Sequence, residues 1–138
     1  MMRVKKMFRM NKFITLLGVA IIIGVVASVA LVSKPISEHQ IINEIHDMAN
    51  TYIVADEIRN KQVMTQDRID FLIEELNSTE EPTPNTPHLI SILTRWKQGE
   101  FCVLASDHNY AWELLNGQIG YAEGVKFEEL PAWSNHTK

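Results

Sequence analysis

The sequence predicts a mainly α-helical protein: one N-terminal transmembrane helix followed by a small compact domain of about four helices. Three observations carry that prediction. Residues 13–32 form an apolar run with no charge and no proline. Beyond it, apolar residues recur at helical spacing in short segments bounded by capping or breaking residues. The charge divides to match. Arg3, Lys5, Lys6, Arg9 and Lys12 precede the run with no acid among them, whereas all 17 acids and only eight bases lie from Lys34 on, a net charge of −9 there. A chain of 138 residues holds one domain at most, and its single Cys excludes an intramolecular disulfide framework or a Cys-rich zinc module.

The apolar run, FITLLGVAIIIGVVASVALV, is 20 residues long. That matches the roughly 20 residues a helix needs to cross a bilayer. The basic flank places residues 1–12 in the cytoplasm and residues 33–130 outside the cell membrane, as a single-pass signal anchor. The acidic balance outside argues against nucleic acid as a partner. The rival reading is a secretory signal cleaved after Ser28-Val29-Ala30. The run exceeds the usual h-region of about 7–15 residues and continues through Leu31 and Val32, which favours the anchor. No Cys stands just after the segment, so a lipoprotein anchor is excluded. Ala20, Gly24 and Ser28 repeat every fourth residue and could seat a second copy of the helix in a homodimer. The plain reading is that small residues are common in such helices.

Pro35 stops that helix from running on. Ser37 is the expected N-cap of a helix to about Thr51, with Ile41, Ile42, Ile45, Met48, Ala49 and Tyr52 on one stripe. Residues 53–63 carry no clear period. Thr65 caps a second helix, with Asp67 in its first turn and Ile69, Leu72, Ile73 and Leu76 on its apolar face. The prolines of residues 78–87 make a loop, too short of material on either side to divide two domains. Thr86 is the expected N-cap of a third helix with Pro87 at its first position, and Leu89, Ile92, Leu93 and Trp96 face inward. Gly99 ends it. Ser106 or Asp107 is expected to cap a fourth helix whose Trp112 and Leu115 face the core, ending at Asn116-Gly117. Residues 118–125 read as a loop or short strand, and 131–138 as a flexible tail.

The chain resembles an uncharacterised family of small single-span membrane proteins from Bacillus-type Firmicutes. The residues that carry the likeness are His46 and Met48, Val54-Ala55-Asp56, Met64-Thr65, Arg95-Trp96 with Gly99-Glu100-Phe101, Asp107-His108-Asn109, Trp112, Gly117 and Gly120. The resemblance implies a bacterial origin and a membrane location, and no mechanism. Under it the sequons at Asn77 and Asn135 are coincidences.

Asp107-His108-Asn109 is the most polar cluster near the expected core. A carboxylate beside an imidazole could tune a general base. Adjacent residues on one turn point in different directions, however, so an N-cap with local hydrogen bonds explains the trio better. The five His residues show no ligand spacing; His46-Asp47 and Asp107-His108 could converge, but nothing in the spacing requires it. No nucleophile motif or phosphate loop is present, so no catalytic residue, metal ligand or cofactor is assigned. Cys102, between Phe101 and Val103, reads as a buried inert thiol. Arg95, Trp96, Tyr110 and Trp112 join the polar trio as candidate binding residues.

The function these readings favour is a non-enzymatic, membrane-anchored extracytoplasmic module that binds another membrane or envelope protein. The alternatives are a small ligand-binding protein or enzyme with a pocket around Asp107-His108-Asn109, and a cleaved secreted protein.

Overall fold

The computed structural model describes residues 35–136. The expected transmembrane helix at 13–32, its Ala20, Gly24 and Ser28, and the basic segment 1–12 lie outside the described residues. Among the described residues no helix is long and apolar enough to cross a membrane. Four α-helices form: α1 (Glu38–Ala49), α2 (Gln66–Ser78), α3 (Thr86–Lys97) and α4 (Leu104–Leu114). Two short strands, β1 (Ile53–Val54) and β2 (Gly124–Val125), and a 3-10 turn at Phe127–Glu129 complete the domain.

Local chemistry sets the first two helix starts where the sequence places them. Ser37 accepts from the Gln40 amide while the Gln40 side chain accepts from the Ser37 amide, a reciprocal capping box. Thr65 accepts from the Arg68 amide. The apolar stripe of α1 is buried from Ile41 to Ala49, with Ile45, Met48 and Ala49 fully excluded from solvent. On α2, Ile69, Leu72 and Leu76 are buried and Ile73 is half-buried. The N-cap of α3 is Asn85, one residue before the expected Thr86. The Thr86 hydroxyl is used elsewhere: it donates to the Glu38 carboxylate at 2.5 Å and accepts from the Thr83 amide at 2.9 Å, tying the Pro-rich loop to the start of α1.

The helices pack mainly as α2 on α3 and α1 on α4. β1 and β2 pair antiparallel, Ile53 with Val125 and Val54 with Gly124, which returns the end of the chain to the end of α1. Around this ladder the Glu123 amide donates to the Val54 carbonyl and the Lys126 amide to the Tyr52 carbonyl. Residues 118–124 are thereby held against 54–57, where the Gly120 amide also donates to the Asp56 side chain.

Four further expectations are corrected. The fourth helix starts at Leu104, so neither Ser106 nor Asp107 is its cap. Its buried face is Leu104, Asp107, His108, Asn109 and Ala111, while Trp112 and Leu115 are only half-buried. The periodicity is helical, but three of the five inward positions are polar, and a search for apolar residues passes over them. Cys102 is exposed, because the 101–103 segment is a turn between helices in which only Phe101 points inward. Residues 131–136, expected to be flexible, are docked. The Trp133 indole donates to the Trp96 carbonyl at 3.0 Å, its ring lies 6.4 Å from that of Phe101, and the Asn135 amide donates to the Gly99 carbonyl.

That docking explains why position 99 must be glycine. Its φ is +81°, and a Cβ there would lie 2.3 Å from the Trp133 carbonyl oxygen. Gly99→Ala therefore both strains the helix end and lifts the tail off. We expect a loss of about 2 kcal/mol, roughly 8–16 °C in the melting temperature of a domain this size, read by thermal denaturation. An unchanged melting temperature would show that the tail is not held on α3.

Candidate functional site

The polar face of α4 is shared among three partners. Asp107 takes its charge to α3: Arg95 Nη2 donates to Oδ1 and the Trp96 indole donates to Oδ2 at 2.9 Å. Burial pushes the Asp107 carboxyl up, an effect that the Arg95 charge and the two hydrogen bonds oppose. The Arg95 guanidinium also donates from Nη1 to the Ser91 hydroxyl at 2.9 Å, while its Nε is buried and unpaired among the described residues.

Asn109 reads the backbone of the C-terminal segment. Its Nδ2 donates to the Ala122 carbonyl at 3.0 Å and its Oδ1 accepts from the Ala122 amide at 2.7 Å. His108, between the two, is fully buried. Its Nδ1 lies 3.1 Å from Asn109 Oδ1 and its Nε2 lies 2.9 Å from the Asn50 side chain at the end of α1. Burial lowers its pKa to about 4, with His46 acting in the same direction and the Asn109 hydrogen bond against it. His108 is therefore neutral at physiological pH.

Beyond Asn50 the network reaches the surface at His46. The Asn50 side chain lies 3.3 Å from His46 Nδ1, which also lies 3.2 Å from Asp47 Oδ1. The His46 and His108 rings stack at 4.6 Å between centroids, tilted by 31°. His46 lines an open cleft of about 320 Å³ together with Arg59, Trp112, Leu115 and residues 116–119. The cleft wall is held from behind. Trp112 donates from its indole to the Ile119 carbonyl at 2.8 Å, Gly117 lies flat against that indole, and Tyr121 meets it edge-on at 5.7 Å. Ile119 and Tyr121 are half exposed beside it, at 50% and 53%.

Of the candidate binding residues read from the sequence, only Trp112 lines this cleft, alongside His46 from the suspected His46-Asp47 pair. Trp96, Asp107, His108 and Asn109 are buried in internal hydrogen bonds, and Arg95 serves Asp107. Tyr110, half-buried, donates to Asn85 at the start of α3, and its ring lies 4.2 Å from that of His88, tilted by 52°. The suspected approach of His46-Asp47 to Asp107-His108 is realised for the two imidazoles. Among the described residues no group of three or more His, Cys, Asp or Glu is arranged to hold a metal ion. Asn50, Arg59 and Ile119 are site residues that sequence reasoning misses. Asn50 carries no signal beyond that of a helix end, and Arg59 and Ile119 lie in segments without periodicity.

Residues 45–132 match a family of unknown function, DUF6241. The match covers more than half of the chain, and the chain belongs to that family. No curated protein and no solved structure matches it.

The buried His108 makes stability depend on pH with a definite sign. Its pKa is about 4 in the fold and 6.5 in an open chain. The unfolded chain therefore takes up a proton between those values and the fold does not, so stability is full above pH 6.5 and falls toward pH 4. The loss amounts to about 3 kcal/mol at the conventional 1.36 kcal/mol per pKa unit. The raised Asp107 acts with the opposite sign in the acid range. Urea titrations of the parent and His108→Phe isolate the histidine. The stability difference between them is expected to shrink as the pH falls from 7 to 4.5, and a constant difference would refute a neutral, buried imidazole.

Proposed function

We propose that this DUF6241 protein is a non-enzymatic, membrane-anchored module of a bacterial envelope, with residues 1–12 in the cytoplasm and the helical domain outside. In this reading the cleft face binds another membrane or envelope protein. The observation that carries the binding role is the pair of half-exposed apolar side chains, Ile119 and Tyr121, on a segment braced by Trp112 beside the cleft. Exposed apolar and aromatic side chains on a rigid support are the usual anchors of protein interfaces. The polar trio of α4 is spent on internal hydrogen bonds, which supports binding over chemistry at those residues. The anchor rests on the 20-residue apolar run and its basic flank, and the bacterial origin on the family likeness.

The location has a direct test. Cys102 is the single cysteine and is exposed, so a membrane-impermeant maleimide is expected to label it in intact cells. Labelling that requires lysis would place the domain inside.

The binding role is tested by cross-linking tagged full-length protein in its native membrane and purifying it beside Ile119→Glu. Ile119 is half exposed and lies outside the hydrophobic core, whereas a change at Arg95 would strip Asp107 of its partner and report on folding instead. One stoichiometric partner is expected, with capture reduced roughly 30-fold in the variant, the size of a hot-spot loss. Equal capture by both proteins, or none by the parent, would overturn this reading.

A further inference from the structure

The hydrogen-bond sense of the whole inner network follows from one fixed amide. Asn109 faces the Ala122 backbone with both of its polar atoms, so its Oδ1 and Nδ2 cannot be exchanged without setting donor against donor and acceptor against acceptor. Its Oδ1 is the atom 3.1 Å from His108 Nδ1. Nδ1 must therefore carry a proton. His108 is neutral, so its Nε2 carries a lone pair and needs a donor. The Asn50 oxygen stands 2.9 Å from Nε2 and its nitrogen 3.3 Å from His46 Nδ1, which sets acceptors against both His108 nitrogens, so the Asn50 amide must be turned end for end to bring its nitrogen to His108. With that nitrogen turned to His108, the Asn50 oxygen faces His46 Nδ1, which must then carry a proton as well. Asp47, an acceptor 3.2 Å from the same Nδ1, asks for the same proton. In its neutral form the ring has only one N–H, so with Nδ1 protonated the His46 Nε2 keeps its lone pair. Among the described residues the side-chain hydrogen bonds of His46 run through Nδ1, and the residue lines the cleft.

We propose that Asn50 and His108 are positioning residues that hold His46 as its Nδ1–H tautomer, making His46 Nε2 a hydrogen-bond acceptor that the cleft presents to a donating group, a hydroxyl or N–H, of what it binds. The charged and titratable groups facing His46 are Asp47 from α1, His108 from α4, and Arg59 from the loop after β1. Arg59 is paired with Glu57 at 2.7 Å. Imidazoles are versatile because either nitrogen can donate; here the versatility is removed by a relay that starts at a backbone amide on the far side of α4. The use of the acceptor for a protein partner rests on the function proposed above. The tautomer does not.

The test is imidazole nitrogen-15 NMR of the labelled full-length protein in nanodiscs at about pH 7.5. The expected spectrum has protonated Nδ1 and unprotonated Nε2 for His46 and for His108. A protonated Nε2 on His46 in the parent protein would overturn the proposal without any variant. In Asn50→Ala the Nε2–H form of His46 is expected to grow, and an unchanged tautomer ratio in a folded variant would remove Asn50 from the relay. Partner capture supplies the second readout. Where the parent captures a partner, His46→Ala is expected to weaken capture roughly tenfold, the size of one lost hydrogen bond, and equal capture would overturn the role given to the acceptor. Absence of any partner would count against the proposed function and leave this inference to the tautomers.

Discussion

The two hydrogen bonds between the Asn109 side chain and the Ala122 backbone are the contact on which the rest of this domain turns. A side-chain amide that meets a backbone amide on both edges acts like one rung of a sheet. It joins α4 to the returning chain, where the ladder of β1 and β2 is only two residues long. Without that rung the 118–124 segment would be held by the Gly120–Asp56 bond, the Trp112 indole and the short ladder alone. The same amide sets the proton position on His108 and, through Asn50, the polarity of the surface histidine. Fold closure and site chemistry therefore meet in one residue.

Such an arrangement trades apolar burial for direction. Asp107 and His108 are neighbours on one helix with opposite demands: one is paired as a charge, the other is kept without one. Desolvation penalises both charged forms, and only for Asp107 is an opposite charge supplied. A well-packed apolar face would serve α4 at least as well in stability, since buried ion pairs seldom repay their desolvation. The core around it already supplies the apolar burial, from Ile45 and Met48 on α1 to Leu93 and Trp96 on α3. Direction is what the polar face adds.

Most of the helical frame is legible in the sequence because the signals that define it are local. Ser37, Thr65 and Gly99 act through the backbone within one turn, and the stripes of α1, α2 and α3 are apolar at helical period. The fourth helix escapes for the same reason. Its inward residues are polar, and Asp107 looks like a cap when its partners on α3 are unseen. The apolar run at 101–104 suggests burial for Cys102, yet a turn there sends only Phe101 and Leu104 inward. Trp133 is the one apolar signal in an otherwise polar tail, and its docking site, the carbonyl end of α3, becomes visible only once α3 is folded. The cleft is the least legible feature. Its residues come from α1, from the unpatterned 55–63 stretch and from the loop after α4, and their meeting depends on pairing Ile53 with Val125 across more than half the domain.

The polar keys of α4 also settle its rotation and register. Apolar side chains tolerate sliding, because one aliphatic contact replaces another at small cost. Hydrogen bonds do not. A one-residue shift turns a helix by about 100°, which would swing Asp107 from Arg95 toward α1 and leave a buried carboxylate unpaired. It would also set His108 against the wrong partners and part Asn109 from Ala122. Each of the three residues is satisfied by a different element: α3 for Asp107, α1 for His108, and the chain before β2 for Asn109. Three directional contacts from one turn of helix, aimed at three separate elements, fix a rigid body with no freedom to rotate. The cleft wall, which hangs from the end of that helix at Trp112 and residues 115–119, is placed by the same three contacts.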